Sequence, residues 1–209
     1  MARAPEIPSA ALASIASQIG MRLSTPGPPG AAAAPMAAKQ SIEIGESFPV
    51  YMLGYDALRG GPRDLQKIVR STGVWQHQIR VGTQAQDIAR SLAPPPGAAP
   101  AGGQGWRVQE VVHSATAPRI DAAISWIDQN KDIPADAIAN LLLVPAFYLT
   151  AFWLHEARRD EVVIADMPPR LGDLRTLYLY SSDEFLKQLA DLKPISGVPV
   201  AAAKPEPAE

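Results

Sequence analysis

Long stretches rich in proline, alanine and glycine set the limits of what this chain can fold into. Residues 25–38 read TPGPPGAAAAPMAA, residues 93–105 read APPPGAAPAGGQG, and the tail from Pro194 has a similar composition. Such stretches carry too little apolar side chain to offset the entropy lost on folding. The sequence therefore predicts a flexible segment over 1–40, one domain over 41–193 with a surface loop at 93–105, and a disordered tail over 194–209.

The first segment contains one candidate helix, over residues 10–23. Leu12, Ile15, Ile19 and Leu23 recur at helical spacing, which is typical of a short amphipathic helix. Two interpretations stay open: a frayed terminal helix, or a helix that docks on a partner or a membrane surface. The stretch lacks the basic cluster of a signal peptide, and no apolar run is long enough to span a membrane, so we expect no transmembrane segment.

The absence of cysteine excludes whole classes of chemistry. Among the 209 residues there is no thiol for a disulfide, a zinc–thiolate site, an iron–sulfur cluster or thiol catalysis. The formal net charge of −2, without a clustered run of Lys and Arg, argues against nucleic acid as a partner. We therefore expect a soluble cytoplasmic protein.

The apolar patterning predicts an α+β domain. Alternating or continuous apolar runs predict strands over 48–53, 74–81, 106–113, 146–154, 161–166 and 174–180. Helical spacing predicts helices that start at Pro62, Pro118 and Asp132, the last with Ala137, Ile138, Leu141 and Leu142 inward, and a capping box at Ser181 predicts a final helix. Residues 82–91 fit either a helix or a strand. The expected architecture is an antiparallel or mixed sheet of about five or six strands, with helices packed mainly on one face.

Histidine is the residue type on which any catalytic hypothesis depends. The three histidines, His77, His113 and His155, each lie on or beside a predicted strand. A metal site would need a further ligand such as Glu110, Glu156 or Asp166, and the spacings of known zinc motifs are absent. No G-x-S-x-G nucleophile turn is present either. We expect no metal and no cofactor, and His77 and His113 are the candidate catalytic residues.

Aromatic side chains give the more informative pattern. The candidate binding residues, all on predicted strands except the helical Trp126, are Trp75, Trp106, Trp126, Tyr148 and Phe152. They lead to the hypothesis of a non-catalytic binding or assembly module that acts through an aromatic-lined sheet face. Its partner would be another protein or a second copy, and a small-molecule ligand is compatible with the same pattern. The alternative hypothesis is a small cofactor-free enzyme, hydrolase-like, that uses a strand histidine in a cleft.

Overall fold

A mixed β-sheet with flanking helices forms the part of the protein that the structure describes. The computed structural model describes residues 2, 4–24, 42–60, 64–81, 84–95, 105–156 and 159–195. Within them the strands are β1 (Ile42–Leu53), β2 (Val69–Val81), β3 (Gln84–Leu92), β4 (Arg107–His113), β5 (Ile138–Val144), β6 (Leu149–His155), β7 (Asp160–Asp166) and β8 (Leu179–Ser181). The helices are α1 (Ser9–Ser24), α2 (Tyr55–Gly60), α3 (Leu65–Ile68), α4 (Ala117–Gln129) and α5 (Ser182–Ala190).

The sheet consists of two antiparallel meanders joined side by side. The strand order is β4-β3-β2-β1-β5-β6-β7-β8, and every neighbouring pair is antiparallel except β1 with β5. That parallel ladder is short, running from Val50 opposite Leu141 to Met52 opposite Leu143. The chain crosses between the two meanders through α4, which supplies the long connection that a parallel pair needs.

Helices cover both faces of the sheet, because successive strand residues point to opposite sides. On one side, called here the α4 face, Ile120 and Ile127 of α4 pack against apolar strand residues that include Phe48, Leu141 and Phe152. On the other, the α5 face, α5, α2 and α3 cover β5 to β8. The helix α1 covers the other half of the α5 face through Ile15 and Ile19, which pack on Ile79, Ala89 and Val108.

The sheet is larger than the sequence predicted, with eight strands in the described residues instead of five or six. The main error concerns residues 132–142, predicted as a helix. The run IANLLLV forms β5, a central strand with Leu141 buried on the α4 face and Leu142 on the α5 face. A strand buried on both faces is apolar at nearly every position and so satisfies a helical pattern as well.

Other boundaries also differ from the prediction. The undecided stretch 82–91 is strand β3. The strand predicted over 146–154 begins only at Leu149, because Pro145–Phe147 forms a 3₁₀ turn and Tyr148 adopts a left-handed φ of 49°. The strand predicted over 174–180 shrinks to β8, since residues 174–178 lie in turns and non-repetitive structure.

Two helices are confirmed in detail. The helix predicted from Pro118 is α4, and its apolar stripe Ile120, Ala123 and Ile127 is buried. The Ser181 hydroxyl accepts a hydrogen bond from the Glu184 backbone N–H at 3.2 Å, which is the cap predicted for α5.

The possible helix at 10–23 is present as α1, and it packs on the sheet although the predicted domain starts at residue 41. Within the described residues, none of the helices is long and apolar enough to cross a membrane. Several predicted features lie outside the described residues: the linker at 25–38, residues 96–104 of the loop, residues 196–209 of the tail, and Pro62.

Candidate functional site

Among the described residues, the first half of β1 has a strand neighbour on one side only. Residues 42–49 of β1 pair with β2, whereas β5 joins β1 only from Val50 to Met52. In a strand, about half of the backbone N–H and C=O groups point away from a given neighbour. The early part of β1 is therefore an open edge inside an otherwise continuous sheet. An open strand edge can pair with another extended segment of polypeptide unless it is covered.

A cleft of about 470 Å³ lies beside this open edge on the α5 face. One wall is β1, through Glu43, Ile44, Gly45 and Ser47. The opposite wall is α1, whose amphipathic helix presents Leu12, Ala13 and Ala16. The cleft has the size of a typical ligand site, and its lining is apolar apart from one carboxylate and one hydroxyl.

The chain's own first residues pass around the open edge. Ala4, Pro5 and Ile7 line the cleft on the α5 face, while Ala2 and Ala4 pack against the core of the α4 face. Among the described residues, no backbone hydrogen bond joins 2–8 to β1. The described residues of this segment therefore lie beside the edge without backbone pairing to it.

A smaller cavity of about 150 Å³ lies on the α4 side of the same segment. Phe48 and Phe152 form its aromatic floor, with their ring centroids 4.9 Å apart in an edge-to-face arrangement. Glu46 and Asp128 also line it. Burial raises the pKa of the Asp128 carboxyl, the positive α-amino group opposes this rise, and the negative charge of Glu46 adds to it.

The rim of both cavities is acidic. Glu43 lines the larger cavity, and Glu46 and Asp128 line the smaller one. The Arg80 guanidinium lies within 2.9 Å of Glu46 and 2.7 Å of Asp121, so it ties β1 and β2 to α4. Asp128 and Glu43 form no ion pair among the described residues, although the α-amino group acts on Asp128 and Arg80 lies within electrostatic reach of Glu43.

The candidate catalytic residue His77 lies below this cleft and is fully buried. Its Nδ1 is 2.8 Å from Ser47 Oγ and its Nε2 is 2.7 Å from Ser91 Oγ. Burial lowers the pKa of His77 to about 4, so the ring is neutral near pH 7. No carboxylate hydrogen-bonds to the ring among the described residues, and the two serines satisfy both of its nitrogen atoms.

The other two histidines sit at separate places and each pairs with an aspartate. His113 Nδ1 lies 2.8 Å from Asp87 Oδ1, and the His113 side chain is 81% exposed. His155 Nδ1 lies 2.8 Å from Asp160 Oδ1, beside the Gln66 amide. None of the described hydrogen bonds joins two histidines, and the described residues contain no group of three or more acidic or histidine side chains that could hold a metal ion.

The candidate aromatic residues do not form one surface. Trp75 and Trp106 contact each other edge-to-face at 5.6 Å, both half-buried near α1. Phe152 is fully buried on the α4 face and Trp126 is partly buried against the same core. Tyr148 is 59% exposed at the turn before β6. Of the five, Phe152 alone is among the residues that line the two cavities next to β1.

Sequence reasoning missed the residues that build the cleft and the His155–Asp160 pair. The pair had a visible signal, because His155 and Asp160 are the two residues that flank the β6–β7 turn and face each other in the hairpin. No sequence pattern indicated the cleft, since Ala4, Ala13 and Ile44 are ordinary apolar residues far apart in the sequence. Comparison with protein-family models, curated proteins and solved structures finds no match for this chain.

Proposed function

We propose that the protein is a non-catalytic binding module that takes an extended apolar peptide segment of a partner protein alongside the first half of β1. The observation that supports this most directly is the open edge of β1 next to a cleft of about 470 Å³. An extended peptide satisfies both features, because its backbone pairs with the strand edge while alternate side chains enter the cleft.

The chemistry of the occupant follows from the residues already in place. Ala4, Pro5 and Ile7 show that small and branched apolar side chains fit between α1 and β1. The acidic rim formed by Glu43, Glu46 and Asp128 favours a peptide that also carries a basic residue. The proposed ligand is therefore an extended segment of alanine, proline and branched residues with at least one Lys or Arg.

The surroundings of the histidines favour binding over catalysis. His77 is buried between two serines, and a ring with a pKa of about 4 is a weak base at neutral pH. His113 is largely exposed, and among the described residues it lines neither of the two cavities beside β1. The enzyme hypothesis requires a histidine in the lining of a cleft, and neither of these two histidines supports it.

A peptide with the sequence of residues 2–8, ARAPEIP, is the natural probe for this site. In the wild-type protein the attached segment competes with it at an effective concentration in the millimolar range, so binding should be weak. Ile7→Asp removes the branched side chain of the attached segment from the cleft and should raise the affinity for the probe. Fluorescence anisotropy of a labelled peptide measures this difference on the full chain.

Two substitutions on α1 provide a matched control. Ala13→Glu, introduced together with Ile7→Asp, fills the apolar part of the cleft with a longer, polar side chain from an exposed helix position. It should exclude the apolar side chains of the probe and weaken peptide binding by about tenfold. Ser17→Glu places the same charge on an exposed position of the same helix outside the cleft and should leave binding unchanged. Absence of saturable binding to a folded Ile7→Asp protein, or equal losses in the two glutamate variants, would overturn the proposal.

A further inference from the structure

A second cavity, of about 250 Å³, lies far along the sheet between α5 and the loop that follows β7. It shares no lining residue with the cavities beside β1. Its lining combines two tyrosines with charged and amide side chains: Asp173, Arg175, Tyr178, Tyr180, Glu184 and Gln188. This composition differs from the apolar lining of the β1 cleft, so we expect the two sites to bind ligands of different chemistry.

The loop that forms this cavity is held by specific contacts. The Leu177 N–H donates to the Ile164 carbonyl of β7 at 3.0 Å, and Leu177 itself has a left-handed φ of 54°. The Arg175 N–H donates to the Tyr180 hydroxyl at 2.7 Å. Leu174 is buried in the core below. These contacts fix the position of Tyr178 relative to the rest of the cavity before any ligand binds.

The two tyrosine rings form an aromatic wall. The ring centroids of Tyr178 and Tyr180 are 4.7 Å apart, and Tyr180 also contacts Phe185 of α5. Tyr180 is buried, whereas Tyr178 is 46% exposed. An exposed ring supported from behind by a buried ring is a rigid apolar surface on which a flat ligand face can stack.

The polar groups opposite the rings offer both acceptors and a donor. Gln188 Nε2 donates to Glu184 Oε1 at 3.3 Å, whereas Gln188 Oε1 is buried and has no hydrogen-bond partner in the described part of the chain. Asp173 and Glu184 add acceptor oxygens, and Arg175 adds a guanidinium donor. The Gln188 oxygen is buried, so the groups open to a ligand are the two carboxylates and the guanidinium.

We propose that this cavity binds a neutral polyhydroxylated ligand of the sugar class. A hydroxyl group both donates and accepts, so a ring that carries several hydroxyls satisfies the Asp173 and Glu184 carboxylates and the Arg175 guanidinium together. The apolar face of the same sugar ring stacks on Tyr178. An ammonium ligand would be attracted by the Asp173 and Glu184 carboxylates but has no acceptor for Arg175, so a cationic probe separates the two ligand classes.

The test is a titration of the full chain, followed by amide NMR spectra, with methyl glucoside, methyl mannoside, methyl galactoside and N-acetylglucosamine as separate probes. Choline is the cationic probe. At least one sugar should bind with a dissociation constant of about 1 mM and shift the amide signals of Tyr178, Glu184 and Gln188. Tyr178→Ala should weaken that binding by about tenfold or more, whereas Tyr178→Phe, which keeps the ring, should retain it.

Tyr148→Ala is the matched control, because Tyr148 is an exposed tyrosine at a different turn. It should bind the sugar as the wild-type protein does. The proposal is overturned if none of the four sugars shifts the signals around Tyr178, if the shifts occur only elsewhere, or if choline binds there in preference to every sugar. An equal loss in Tyr178→Ala and Tyr148→Ala would also overturn it, since the effect would not depend on the cavity.

Discussion

The imidazole Nδ1 of His77 and the hydroxyl oxygen of Ser47 lie 2.8 Å apart inside the sheet, on neighbouring strands. Ser91 contacts the other ring nitrogen from the opposite strand. A neutral imidazole has one donor and one acceptor, so one serine accepts a hydrogen bond from the ring and the other donates one. The neutral ring is thus fully satisfied in the folded state, and a proton added to it would introduce a buried charge.

The buried histidine predicts a specific pH dependence of stability. The pKa of His77 falls from its ordinary value of 6.5 to about 4 on folding, so between these values the unfolded chain binds more protons. The neutral His77 ring contributes fully to stability above pH 6.5. As the pH falls toward 4, proton binding to the unfolded chain lowers the free energy of unfolding by about 3 kcal/mol in total. Urea unfolding across this range should show a flatter profile for His77→Gln than for the wild-type protein. An equally steep profile in His77→Gln and in the wild-type protein would contradict the assignment.

Phe152 is a core residue, which gives a second prediction. Its ring is fully buried and contacts Phe48 edge-to-face, so Phe152→Ala should lower the free energy of unfolding by about 3–5 kcal/mol. Tyr148→Ala, at an exposed position, should change it by less than about 1 kcal/mol. Denaturant unfolding measures both. A small loss in Phe152→Ala would show that the ring is not packed as described.

The turn before β6 provides a third prediction. Tyr148 has a φ of 49°, a left-handed conformation that costs non-glycine residues about 1 kcal/mol. Tyr148→Gly should therefore be more stable than Tyr148→Ala by about 1 kcal/mol, because only the alanine variant keeps a Cβ atom in that conformation. Thermal unfolding of the two variants gives the comparison, and a less stable glycine variant would exclude the left-handed turn.

The helix cap of α5 gives a fourth prediction. Ser181→Ala removes the hydroxyl that accepts a hydrogen bond from the Glu184 N–H. It should lower the free energy of unfolding by about 1 kcal/mol. Ser182 is one residue later and already within the helix, so Ser182→Ala should lower the free energy of unfolding by less. Equal losses for the two serines in urea unfolding would mean that the cap does not form.

Local signals in the sequence were sufficient where a residue's role depends on near neighbours. The spacing of Ile120, Ala123 and Ile127 predicts α4, and Ser181 with Glu184 predicts the start of α5. The same reasoning failed for Ile138–Val144, since a strand buried on both faces has no polar side to reveal its period. Burial was predicted correctly for Ala137, Leu141 and Leu142, whereas Ile138 was also predicted to be buried and is exposed, and the secondary structure was predicted wrongly.

The candidate site depends on distant relations that a single sequence does not display. The β1 cleft exists because β1 extends beyond the region where β5 pairs with it, a register set by contacts between Val50 and Leu141. The wall from α1 adds residues such as Ala13, whose type carries no functional signal. Predicting the cleft would have required the strand order and the register together.

The short parallel ladder between β1 and β5 also has a consequence for how the protein folds. Each meander is built from neighbouring segments of chain, whereas Val50 and Leu141 are far apart in sequence and must close a long loop to meet. Local contacts form faster than contacts that close long loops. The two meanders should therefore assemble first as separate units, and the seam between them should be the last part of the sheet to form.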